Sequence, residues 1–134
     1  MSAGERIDVV VAVIRDSAGR ILVSQRLPGR HMEGFWEFPG GKRAAGEGRR
    51  EALGRELDEE LGIRLLAARP FMRLDHDYPE TRVALDVWVV SGYTGEPRAL
   101  EGQQLDWLEP AALTEIELLP ADRPIVDRLV EAAG

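Results

Sequence analysis

Four of the five glutamates between Gly41 and Ile63, in GKRAAGEGRREALGRELDEELGI, have the types and spacing for chemistry. Glu47 sits in a glycine-containing loop, and Glu56, Glu59 and Glu60 follow at offsets of three and four. On an α-helix those offsets place the last three on one face. Like charges so arranged repel by roughly 0.2–0.5 kcal/mol per pair on a solvated helix. Divalent cations would relieve that repulsion, and oxygen-only donors suit the hard ions Mg²⁺ or Mn²⁺ better than zinc. An acidic helix face alone is more often simply solvated. Here the glutamates come with Gly41, Arg55, Leu57, Gly62 and Ile63 at set intervals.

The whole pattern resembles the Nudix box, G-x5-E-x7-R-E-U-x-E-E-x-G-U with U a bulky aliphatic residue, and every position is matched. The preceding segment HMEGFWEFPGGK, His31 to Lys42, is similar to the one before the box in MutT-type nucleotide pyrophosphohydrolases, as is Arg26 five residues before His31. The resemblance implies cleavage of a nucleoside diphosphate linked to another group, with Mg²⁺ as cofactor and Mn²⁺ as its substitute. It implies Glu47, Glu56, Glu59, Glu60 and the late Glu101 as metal-holding carboxylates, with a main-chain carbonyl of Gly40 or Gly41 completing the set. Glu56 is the implied general base. Arg55, with a rigid fork of donors, suits orienting a box glutamate.

On the substrate side, Arg26 and Lys42 are cations able to meet phosphate, and the resemblance puts His31 near the nucleotide. Phe38 and Tyr78 have aromatic faces on which a base can stack. Asp122 stands where MutT-like guanine readers carry asparagine. An amide donates and accepts, whereas an ionised carboxylate only accepts, so guanine O6 would find no donor there. Burial that keeps the acid protonated would restore one. Capping of the last helix is an equally good use for an aspartate two residues before Pro124.

The elements that must position these residues can be read from periodicity. The spacing predicts a helix over Arg49 to Leu61, with Leu53, Leu57 and Leu61 as its apolar stripe and Gly62 as a left-handed stop. Ile7 to Ile14 reads as a buried strand, and Asp16-Ser17-Ala18-Gly19 as a turn returning Ile21 to Gln25 as the second strand of a hairpin. Phe35 to Phe38 reads as a short strand stopped by Pro39-Gly40-Gly41. Arg64 to Leu74 predicts a strand broken near Pro70, Val83 to Val89 an alternating strand, and Gln104 to Leu108 a short one. Pro110 can open a short helix, and Ile125, Val126, Leu129 and Val130 have helical spacing. Strands and helices mix without regular βαβ alternation, so the fold class is α+β. The resemblance implies a mixed β-sheet sandwiched between α-helices.

Composition sets the outer bounds. A chain of 134 residues suits one domain, residues 1–134, with 44% hydrophobic and 31% charged residues. The longest apolar run, Val9 to Ile14, is too short to span a bilayer, and no secretory signal is visible. There is no cysteine, hence no thiolate metal site and no disulfide framework, and the cytoplasm is the default location. A net charge of −7 argues against gripping polymeric nucleic acid. It fits a free nucleotide reached through bridging cations.

The leading expectation is therefore hydrolysis of a nucleoside triphosphate to the monophosphate and pyrophosphate, of the 8-oxo-dGTP diphosphatase type. The rivals are a (d)CTP pyrophosphatase, a nucleoside-diphosphate-sugar hydrolase, and a non-catalytic nucleotide-binding module of the same fold. The last would typically have lost box glutamates, and all are present. The protein would act as a monomer or homodimer.

Overall fold

The computed structural model describes residues 6–133. The order of elements is β1 (Arg6–Ile14), β2 (Ile21–Gln25), β3 (Trp36–Glu37), β4 (Gly40–Lys42), α1 (Arg49–Leu61), β5 (Arg64–Tyr78), β6 (Thr81–Thr94), β7 (Leu105–Leu108), single 3-10 segments at Pro110–Thr114 and Pro120–Asp122, and α2 (Arg123–Ala133). These form a four-stranded sheet, β4-β1-β6-β5, and a three-stranded sheet, β3-β2-β7. β1 runs parallel to β6 and antiparallel to β4, so the larger sheet is mixed.

That sheet is covered on both faces, which makes the middle of its two central strands, Val9–Ile14 and Val87–Val90, continuously apolar. Val10, Ala12 and Ile14 of β1 pack with Leu53, Leu57 and Leu61 of α1. Val11 and Val13 turn the other way, joining Leu85, Val87 and Val89 of β6 against Ile125, Val126 and Leu129 of α2. The α+β class and the helix–sheet–helix sandwich hold. Among the described residues no helix is long and apolar enough to cross a membrane.

Helix α1 has the predicted limits. Its leucine stripe is fully buried, and Gly62 closes it at φ 69°, donating its N–H to the Asp58 carbonyl. Its first residue, Arg49, forks onto Asp86 of β6, with Nε and Nη2 at 2.6 and 2.9 Å from the two carboxylate oxygens. The same guanidinium lies 5.0 Å from the centre of the Trp88 ring. The helix is thus tied to the central strand at its start and by its apolar face along its length.

Two expectations about strands are corrected. β1 and β2 are joined by the predicted turn, with Asp16 accepting the N–H groups of Ala18 and Arg20, but they do not form a hairpin. After one bridge, Arg15 to Ile21, the strands part into different sheets. Both are buried on both faces, so each needs its own neighbours on either side. Nor do Pro39-Gly40-Gly41 only end a strand, because Gly40–Lys42 forms β4 against β1. Gly40, at φ 150°, lies so close to β1 that any added Cβ would overlap the Val10 carbonyl. β5 extends past the predicted end to Tyr78, with a register shift between Pro70 and Met72, and returns as β6 through Pro79-Glu80.

Candidate active site

Between the start of β1, the β3–β4 segment, α1, the β5–β6 turn and the Pro120–Asp122 turn lies a cavity of about 1060 Å³. One end is lined by Gly40, Gly41, Lys42, Glu56, Glu60 and Glu101. The other is lined by Arg26, His31, Glu37, Phe38, Tyr78 and Asp122. The first group comes from β4, α1 and the loop before β7; the second from β3, the loop that precedes it, the end of β5 and the turn before α2.

At the acidic end, Glu60 Oε2 accepts the Gly40 N–H at 3.3 Å. Burial pushes the Glu60 carboxyl up to about 8, against the Gly40 bond, and Glu37, Glu101 and Glu56 add to the rise. Burial also raises Glu56, which Arg55 opposes and Glu59 and Glu101 reinforce. Gly41 makes room for Glu56, since a Cβ on it would overlap that carboxylate. Both carboxyls are thus held against ionisation by burial and by their acidic neighbours.

Arg55 is bound to three of the four box glutamates. Its Nε and Nη2 hold the two oxygens of Glu47 at 2.6 and 3.0 Å, while Nη1 reaches Glu56 at 3.2 Å and Glu59 at 3.1 Å. Nη2 also donates to the Lys42 carbonyl at 3.0 Å. The Arg55 bonds hold the Glu47 carboxyl below its ordinary range. The predicted set of five ligating carboxylates is therefore divided. Glu56, Glu60 and Glu101 line the cavity, whereas Glu47 is engaged by Arg55 and Glu59 is largely exposed beside it. Among the described residues no three acidic or histidine side chains stand together in a metal-holding arrangement.

At the other end, Asp122 is buried, and its Oδ2 accepts the Phe38 N–H at 3.1 Å across 84 residues of sequence. That bond turns the aspartate toward Phe38, beside β3. Burial lifts its carboxyl to about 7; the Phe38 N–H opposes the rise and Glu37 adds to it. Phe38 is itself 4% exposed and belongs largely to the core, which reduces its face for stacking. The Tyr78 hydroxyl accepts the Ala121 N–H at 3.3 Å and so holds the turn that carries Asp122. His31 meets the edge of the Tyr78 ring, with centroids 5.7 Å apart.

Arg26 is less free than a phosphate-seeking cation would be. Its Nε donates to the His31 carbonyl at 2.7 Å and its Nη1 to Glu37 Oε1 at 2.9 Å. Glu37, in the EFPGGK segment, lines the cavity without any sequence-based expectation attached to it. The available signal was an acid within the apolar Phe35 to Phe38 segment, beside Pro39-Gly40-Gly41.

Comparison with known proteins gives the chain its relatives. The chain is 39% identical over 124 residues to the 8-oxo-dGTP diphosphatase of Haemophilus influenzae, covering 92% of this chain and 91% of that one. It is 36% identical over 118 residues to the CTP pyrophosphohydrolase of Escherichia coli, covering 88% and 87%. A solved MutT structure, from a comparison of the Aliivibrio salmonicida and Vibrio cholerae proteins, superposes with a TM-score of 0.84 at 35% identity over 95% and 98% of the two chains. The NUDIX domain model matches residues 10–128, so the chain is a MutT-like hydrolase and belongs to the Nudix family.

Proposed function

We propose that this enzyme hydrolyses a nucleoside triphosphate to the monophosphate and pyrophosphate, as one domain acting on free nucleotides of the cytoplasm. The observation that carries this reading is the single cavity joining the Glu56–Glu60–Glu101 end to the Asp122–Phe38 end. A triphosphate and its base need both ends at once. The donor chemistry fits Mg²⁺ or Mn²⁺, with Glu56, Glu60, Glu101 and a main-chain carbonyl of Gly40 or Gly41 as holders. When bound, such an ion neutralises phosphate charge and lowers the pKa of water.

The chain's own residues supply the remaining functions. Glu56 would take a proton from the attacking water, with Arg55 Nη1 orienting its carboxylate at 3.2 Å. Arg55 keeps the box carboxylates in register through three ion pairs. Lys42 faces the cavity as a cation for the phosphate chain.

Two substrate types are supported. The relatives favour an oxidised guanine nucleotide, and Asp122 favours cytosine as the second reading. Near its pKa of about 7 the acid is present in both forms. The protonated form can donate to guanine O6, and the ionised form can accept from the exocyclic amine of cytosine. The deciding experiment is an Mg²⁺ assay over normal and oxidised triphosphates, with dinucleotides and nucleotide sugars as controls. Release of pyrophosphate and a monophosphate is the expected result. Turnover confined to nucleotide sugars, or none at all, would overturn the reading.

A further inference from the structure

The structure assigns Gln103 a positioning role: its buried amide clamps the loop of Glu101 onto the last turn of α1, which sets Glu101 at the cavity beside Glu60. This inference rests on the ion-holding role proposed above for Glu101. An α-helix leaves its last four carbonyls without partners inside the helix. At the end of α1 the loop 95–104, which joins β6 to β7, supplies two of them. The Arg98 N–H donates to the Leu61 carbonyl at 2.9 Å, and the Leu100 N–H to the Glu60 carbonyl at 3.3 Å. Gln103 Nε2 adds a second bond to the Glu60 carbonyl at 3.2 Å, while its Oε1 accepts the Glu101 N–H at 3.0 Å. One side chain thus joins the backbones of two acids that line the same end of the cavity.

The chemistry of the amide fits this task. Gln103 is 6% exposed, whereas Glu101, Gly102 and Gln104 around it are exposed. The loop is therefore anchored through the one side chain that turns inward. Gly102, at φ 81°, makes the tight turn that brings Gln103 Oε1 back to the Glu101 N–H. The Glu101 N–H needs an acceptor and the Glu60 carbonyl needs a donor, and an amide supplies both. An ionised glutamate there would only accept, and a methionine of similar length would fill the space without either bond. A tie is needed because Glu101, Glu56 and Glu60 repel one another once ionised, which drives an exposed loop outward. Fixing the loop beforehand also lowers the entropy cost of gathering the three carboxylates round an ion.

The test is a double-mutant cycle read by calorimetric titration with Mn²⁺ alone, without nucleotide. Wild type, Gln103→Met, Glu101→Gln and the double variant are compared. Gln103→Met should weaken Mn²⁺ binding by about 10- to 100-fold, the range for residues that support a metal ligand. In the Glu101→Gln background the same substitution should cost less than about threefold, because the residue it acts through is gone. Equal losses in both backgrounds would overturn the inference and leave Gln103 as a support for the fold at large. So would an affinity that Gln103→Met leaves unchanged. A second measurement needs no variant: hydrogen exchange of the Glu101 N–H in wild type should be at least about tenfold slower than in an unstructured chain. Free exchange at that amide would overturn the clamp. If Glu101→Gln binds Mn²⁺ as wild type does, the ion-holding role of Glu101 fails separately, and the exchange rate alone then decides whether Gln103 holds the loop.

Discussion

Arg55 touches Glu47, Glu56 and Glu59 at once, so its fork matters as much as its charge. A lysine keeps one charge but cannot hold both oxygens of Glu47 and reach Glu56. Arg55→Lys should therefore lower kcat by about 10- to 100-fold, as supporting residues of this kind do, with little change in KM. Steady-state pyrophosphate release measures it, and a rate near wild type would show that the fork is dispensable. Glu56→Gln should cost more, about 10²–10⁴-fold in kcat with the fold retained. At the far end of the cavity, Asp122→Asn replaces an acceptor-only or protonated group with an amide that always donates and accepts. The ratio of kcat/KM for guanine over cytosine nucleotides should rise, by roughly 10-fold or more if one base contact is exchanged. A constant ratio with a lower Tm would reduce Asp122 to a bracket between β3 and the turn before α2.

Helix α1 packs through its leucine stripe and carries Glu56 and Glu60 beside that stripe, and two substitutions separate packing from the proposed chemistry. Leu57 is fully buried between α1 and the mixed sheet. Leu57→Ala should cost about 2–5 kcal/mol, seen as a fall in the denaturation midpoint. Gly41 on β4 is different, because the nearest obstacle to a methyl there is the movable end of Glu56. Gly41→Ala should scarcely change the denaturation midpoint yet reduce kcat by roughly 100-fold, since about 1 Å of misplacement is enough. A stability loss without a kinetic one would contradict the role given to this close approach.

Over the molecule as a whole, the buried acids make stability depend on pH and on cations. Glu60 is held near 8 against an ordinary value of 4.5. A carboxyl whose folded pKa is the higher one binds its proton more tightly when folded. Its stabilising contribution is complete below about 4.5 and is lost as pH rises through about 8. Asp122, near 7, works in the same direction. Without added metal, Tm should therefore fall between pH 5 and pH 8. Mg²⁺ should restore it more at pH 8, where the carboxyls are ionised, by roughly 4 °C or more. Equal Mg²⁺ effects at both pH values would mean that these acids do not hold the ion.

The amino-acid order alone determined what depends on near neighbours. It set the limits of α1, its leucine stripe, its Gly62 stop and the one-turn spacing of Glu56, Glu59 and Glu60, because helix period and cap geometry are local. It also carried the fold class, since alternating and continuous apolar runs mark strands wherever these are later placed. The parting of β1 from β2 was not legible, because two strands buried on both faces look the same in a hairpin and in two sheets. Nor was the pairing of Glu37 with Arg26, or the turning of Asp122 toward Phe38 across 84 residues. Those were decided when β3, β5 and the turn before α2 closed round one cavity, since only that packing sets which acid shares an environment with which.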